Sequence, residues 1–129
     1  MNVLIADDCK SDRDWLAGVF RDRFPELLPV YEADNGREAV AKCLCLNPAV
    51  VVLDFQMPEL DGVKAAEEIL RTAPATPIII FSSETDNPRI QRFAQRMVDQ
   101  QNSAFTFLAK TATLVEVAAA IAQVLKIVQ

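Results

Sequence analysis

Ala49-Val50-Val51-Val52-Leu53-Asp54-Phe55-Gln56-Met57-Pro58-Glu59-Leu60-Asp61-Gly62 is the stretch of this chain that constrains the fold most. Its first residues are apolar at consecutive positions, so a strand at 49–53 would be buried on both faces, as in a parallel sheet covered by helices on each side. The run stops at a carboxylate, Asp54. Asp61-Gly62 then marks a turn, and residues 63–72 carry apolar side chains at helical spacing.

The same unit recurs outward in both directions. Short runs rich in β-branched and aromatic residues lie at Val3–Ala6, Val30–Ala33, 78–81 and 104–108, and those at Val3–Ala6 and 78–81 are again apolar on both faces. Helical patterns separate them. Trp15, Leu16, Val19, Phe20 and Phe24 make one apolar face behind the candidate N-cap Ser11. Residues 38–46 follow the turn Asp34-Asn35-Gly36. Pro88–Asp99 opens on a proline in the first turn, where its missing N–H costs nothing, and Leu114–Val128 closes the pattern. Repeated strand-then-helix units predict the α/β class: a five-stranded, doubly wound parallel sheet with right-handed crossovers. The 129 residues fit a single domain over 1–129.

Composition narrows the chemistry. The net charge is −5 with acidic and basic residues interleaved, so no basic block tracks a nucleic-acid backbone and this chain alone is not expected to bind one. No apolar run approaches membrane-spanning length, and the apolar N-terminal run gives way to Asp7-Asp8 too early for a signal peptide. Cys9, Cys43 and Cys45 have no other soft ligands beside them, which suits neither a disulfide framework nor a zinc site. A reducing cytoplasm is the simplest home, and Cys9 reads as an inert thiol. The chain has no histidine, which removes zinc–histidine sites, Ser-His-Asp and Cys-His machinery and any phosphohistidine carrier role. The chemistry must come from carboxylates, hydroxyls and lysine.

In doubly wound sheets, ligands sit beyond the carboxyl ends of the strands. Here those ends carry Asp7-Asp8, Asp54, Ser82-Ser83 and, after the fifth strand, Lys110. Each carboxylate alone could be a helix cap or a turn residue. Four strand ends in agreement are harder to attribute to capping. Three carboxylates gathered at one edge repel one another, and a hard divalent cation such as Mg²⁺, which takes oxygen ligands, relieves the repulsion.

With Asp7-Asp8, the string 53–62, Phe81-Ser82-Ser83-Glu84 and Lys110 in this order, the whole chain resembles the receiver domain of bacterial response regulators, of the chemotaxis-regulator kind and with a flavodoxin-like fold. The Asp-x-x-Met-Pro-x-x-Asp-Gly string, here Asp54 to Gly62, is the most specific part. The resemblance implies that Asp54 is the phospho-acceptor of a two-component phosphorelay. Asp8 and Asp54 would ligate Mg²⁺ with the Gln56 backbone carbonyl, and Asp7 would act mainly through water. Ser82, Ser83 and Lys110 would contact the phosphoryl group, and Ser82 with Phe107 would form the switch. The donor would be a phosphohistidine on a histidine kinase or histidine phosphotransfer protein. Phosphorylation would then change binding of an output partner or a second copy through the fourth helix, fifth strand and last helix. Phosphoryl transfer asks mainly for positioning and charge neutralisation, so an ionised Asp54 nucleophile beside a cation and a lysine is a coherent set.

The chain departs from the family in several places. Thr111 follows Lys110 where proline is usual, which bears on how Lys110 is placed. The segment from Ser82 to Lys110 is long and carries Asp99-Gln100-Gln101-Asn102-Ser103 in place of a small Ala-Gly turn, which predicts a longer fourth helix or a longer loop. Phe107 lacks the hydroxyl of the commoner tyrosine, and Ser83 stands where alanine is frequent. In the last helix, Leu114, Ala118, Ile121, Leu125 and Val128 are expected to face the sheet, with Val115, Ala119, Ala122 and Ile127 outside that stripe.

Other readings compete. A Mg²⁺-dependent aspartyl phosphatase would need an acid–base carboxylate just after the nucleophile, where Phe55 and Gln56 stand. A nucleotide binder would need a glycine-rich phosphate loop, and the chain has only Gly18, Gly36 and Gly62. A phosphorylation-independent interaction module of the same fold is opposed by the intact acidic site. The leading expectation is a signalling switch and not an enzyme with a separate substrate.

Overall fold

The β-branched runs form strands and the amphipathic segments form helices in the computed structural model, which describes residues 1–84 and 86–128, the side chains of 126–128 excepted. The elements are β1 (Val3–Ala6), α1 (Lys10–Arg23), β2 (Val30–Ala33), α2 (Gly36–Leu46), β3 (Val50–Leu53), α3 (Gly62–Thr72), β4 (Ile78–Ser82), α4 (Pro88–Asp99), β5 (Phe105–Ala109) and α5 (Leu114–Val128), with a 3-10 turn at Pro25–Leu27. The sheet order is β2-β1-β3-β4-β5, all pairs parallel. This is the predicted doubly wound α/β architecture.

The pleat sorts side chains onto two cores. Leu4, Ala6, Val51, Leu53, Ile78 and Ile80 pack with residues of α2, α3 and α4 such as Ala39, Ile69 and Phe93. Val3, Ile5, Val50, Val52, Ile79 and Phe81 pack against α1 and α5, meeting Leu16, Phe20, Ile121 and Val124. Strands β1, β3 and β4 are buried along their whole length, which explains why their sequences are apolar throughout save for Ser82 at the end of β4. β5, at the sheet edge, is half-buried throughout.

Helix starts follow local chemistry. Asn35, Asp61 and Asn87 accept from the backbone N–H of Glu38, Lys64 and Arg89 and cap α2, α3 and α4. Ser11 does not cap α1. That helix begins one residue after Cys9, whose N–H donates to Asp7 Oδ1 at 2.9 Å. The strand-end carboxylate thus makes the turn into α1, and no side chain caps the helix.

The phase of α5 also differs from the predicted stripe. Val117, Ala120, Ile121 and Val124 are buried, whereas Leu114 is 40% and Val115 69% exposed. The helix is apolar nearly all round, so periodicity alone does not set which side faces the sheet. The expectations for Ile127 and Val128 lie outside the described side chains.

The extra residues before β5 do not lengthen α4. They make its C-terminal turn. Gln101 adopts φ 57°, Gln101 N–H donates to the Val98 carbonyl at 3.0 Å, and Asn102 N–H reaches back to the Met97 carbonyl at 2.8 Å. This is a Schellman arrangement with glutamine in the left-handed position that favours glycine. Gln101→Gly is therefore expected to stabilise the protein by about 0.5–1 kcal/mol, read as a higher midpoint in denaturant unfolding with an unchanged slope.

Candidate functional site

Because all strands run the same way, their carboxyl ends bring chemistry to one edge. Asp7 extends β1, Asp54 extends β3, and the register pairing Leu53 with Ile80 places Ser82 two residues further along the neighbouring strand. Lys110 follows β5 directly, and its N–H donates to the Ser82 carbonyl at 2.9 Å.

Asp7, Asp8 and Asp54 each offer a carboxylate oxygen, and these oxygens lie within 4.8 Å of one another. Asp7 and Asp54 are buried, while Asp8 is exposed. A single ammonium, Lys110 Nζ, stands 2.9 Å from Asp7 Oδ2 and 3.4 Å from Asp54 Oδ2. It lies closer still to Asp12 Oδ2, at 2.7 Å. The Asp7 contact is an ion pair rather than a directed hydrogen bond, since Asp7 Oδ2 has no hydrogen-bond partner among the described residues. Arg13 fixes the backbone below it, donating to the Asp7 carbonyl at 2.6 Å and pairing with Glu32 at 2.9 Å.

These charges shift one another. Burial, and then the nearby Asp7 carboxylate, push Asp54 up to about 7, against the opposing pull of Lys110. Without a cation, the Asp54 carboxyl is therefore held above its ordinary range. Burial pulls the Lys110 ammonium down, but Asp12, Asp7 and Asp54 outweigh it and hold the group above its ordinary range. The donor set suits a hard divalent cation: every offered ligand is a carboxylate oxygen, and negative charge exceeds what Lys110 balances.

The loop after Asp54 is clamped. Gly62 N–H donates to the Phe55 carbonyl at 2.8 Å, and a Cβ on Gly62 would stand 2.2 Å from the Asp54 carbonyl oxygen. A Cβ on Gly36 would meet the Leu60 carbonyl oxygen at 1.9 Å. Between these contacts Glu59 takes a left-handed φ of 71°. Arg89 of α4 closes the other side, pairing with both Asp61 oxygens at 2.7 and 3.3 Å and lying over the Phe55 ring. Gln56 is exposed, and its carbonyl accepts no hydrogen bond among the described residues.

The remaining sequence candidates sit as follows. Ser82 is buried and its Oγ accepts from Glu84 N–H at 3.0 Å, whereas Ser83 is exposed. The bond from Lys110 to Thr111 is trans, and Lys110 reaches the carboxylates without the proline. Phe107 is half-buried on β5 and packs against the core beneath α4. It also lines an open groove of about 540 Å³ with Met97, Val98, Asn102, Phe105 and Gln123. Cys9, Cys43 and Cys45 are free thiols. Sequence reasoning missed Asp12, Arg13 and the Asp61–Arg89 pair. Asp12 reads as an ordinary first-turn acid of α1, and nothing in the sequence links it to Lys110, 98 positions away.

Comparison with known proteins agrees with this geometry. The family described as "Response regulator receiver domain" matches residues 3–122. A protein-glutamate methylesterase/protein-glutamine glutaminase of Carboxydothermus hydrogenoformans is 41% identical over 93 residues, covering 72% of this chain and 26% of that protein. The chain spans between 21% and 30% of the length of such curated relatives. Among solved structures, the receiver domain of the putative response regulator NarL from Mycobacterium tuberculosis superposes with a TM-score of 0.79 at 28% identity, covering 97% of this chain and 95% of that one. Vibrio cholerae CheY4 shares the fold with a TM-score of 0.78 at 24% identity, covering 95% and 97%.

The raised Asp54 carboxyl has a pH signature. A carboxyl that protonates more readily folded than unfolded lowers stability as pH rises from its ordinary 3.8 through about 7. In metal-free protein, Asp54→Asn should therefore be more stable than wild type at pH 8, by about 2 kcal/mol after allowing for Lys110's lost neighbour. The advantage should shrink through that window and vanish below pH 4, as followed by thermal unfolding across the range.

Proposed function

We propose, for a chain that belongs to the response regulator receiver domain family and is thus a receiver domain of two-component signalling, that Asp54 is its phospho-acceptor. The observation that carries this is Asp54 buried at the end of β3, with the Lys110 ammonium 3.4 Å away and the Asp7 and Asp8 carboxylates beside it. Asp54 Oδ attacks phosphorus in line, the bond from phosphorus to the donor atom breaks, and the donor leaves with the bonding pair. Lys110 would neutralise the phosphoryl oxygens, and the buried Ser82 hydroxyl at the end of the neighbouring strand would hydrogen-bond one of them.

Mg²⁺ is the cation proposed for the acidic cluster, held by Asp8, Asp54 and the free Gln56 carbonyl; when bound it would offset charge on the phosphoryl oxygens. Asp7 is already engaged with the Cys9 N–H and Lys110, which supports a lesser role for it in direct ligation. The proposed donor is a phosphohistidine of a histidine kinase or histidine phosphotransfer protein, consistent with a chain that has no histidine of its own. Output is assigned to the face of α4, β5 and α5. Ser82 drawn toward a phosphoryl group would vacate space for Phe107, which borders the groove on that face. The chain acts as a signalling switch; the catalytic activity in the methylesterases' names belongs to those proteins. No helix of the described residues is long and apolar enough to cross a membrane, and a cytoplasmic location is proposed from the family.

Treatment with acetyl phosphate and Mg²⁺ should add one phosphoryl group to the wild type and none to Asp54→Asn, as read by intact mass. An undiminished adduct on the variant would refute the acceptor assignment. Asp8→Ala should weaken Mg²⁺ binding by more than about tenfold, and more than Asp7→Ala does. Trp15, stacked on Phe81 next to Ser82, supplies the fluorescence signal, and equal losses would count against the ligand roles.

A further inference from the structure

Lys110 faces three carboxylates and does not share itself equally among them. Its directed hydrogen bond goes to Asp12 Oδ2 at 2.7 Å, and the Asp54 contact at 3.4 Å lies beyond ordinary hydrogen-bond reach. Asp12 belongs to a different part of the molecule from the other two, the first turn of α1. Its oxygens are not part of the cluster formed by Asp7, Asp8 and Asp54 among the described residues, so it meets the site through Lys110.

The three partners also differ in what they lose when Lys110 moves. The Asp7 and Asp54 side chains are 2% and 8% exposed, so either would be left as a buried anion. The Asp12 side chain is 37% exposed and can be rehydrated in place. It is the partner Lys110 can leave most easily. An acid in the first turn of a helix also complements the helix dipole, but that role does not require an ammonium from the far end of the chain.

We propose that Asp12 is a positioning residue that parks the Lys110 ammonium off Asp54 and releases it when a phosphoryl group arrives, so that Asp12 restrains the rate of phosphoryl acceptance. The inference rests on the reading of Asp54 as the acceptor.

Three measurements test it. With acetyl phosphate and Mg²⁺, Asp12→Asn and Asp12→Ser should accept the phosphoryl group roughly three- to tenfold faster than wild type, the range a half-exposed, charge-assisted hydrogen bond commands. Asp12→Glu, which keeps the charge, should return the rate toward wild type. In metal-free protein, denaturant midpoints for Asp12→Asn, Lys110→Met and the double variant should be non-additive, because the two side chains interact directly. A merely helical role for Asp12 would leave them additive. Unchanged or slower acceptance in both neutral Asp12 variants, or additive midpoints, overturns the proposal. Phosphoryl addition that persists in Asp54→Asn would instead show that the acceptor reading had failed.

Discussion

One ammonium balances buried negative charge at the edge of an otherwise apolar sheet, and the site depends on that balance. The buried polar residues among those described are Asp7, Asp54, Thr76 and Ser82. Asp7, Asp54 and Ser82 all stand at the carboxyl end of the strands. Without Lys110 the two aspartates would face each other in low dielectric with no compensation, a costly arrangement. With it, the edge is tolerable but still over-supplied with negative charge. Burial first, and then that excess, account for the raised Asp54 carboxyl, and the excess is of the kind a hard cation would offset.

The rest of the fold serves to hold these groups still. β1, β3 and β4 present apolar residues on both faces, so helices close over each side and the strand ends cannot slip in register without moving every core side chain. The site is then assembled by topology. Residues distant in sequence, from Asp7 to Lys110, meet because parallel strands terminate together.

The fold was legible because its signal is repeated: short two-faced apolar strands alternate with helical periods, and errors at single boundaries do not disturb the pattern. Asp54, Asp7, Asp8, Ser82 and Lys110 were legible as strand-end residues for the same reason. What escaped was set by side-chain geometry between distant elements. Asp12 and Arg13 occupy unremarkable helix positions, yet one captures Lys110 and the other braces the Asp7 backbone. The face of α5 was misassigned because a helix rich in alanine and valine carries little directional information. The cap of α1 was misassigned because the helix starts before Ser11, with Cys9 at the cap position and no side chain bonded to its first N–H groups.

The loop that follows Asp54 lies against backbone on two sides through Gly36 and Gly62 and is strapped by Arg89 across Asp61. In mechanical terms it is an anvil. Neither glycine contact leaves slack, so a load applied at Asp54 meets little compliance on this side of the sheet. The half-buried edge strand β5 and the open groove beside it form the less enclosed side of the sheet. The close seat of this loop beside a more open edge strand is owed to two missing β-carbons.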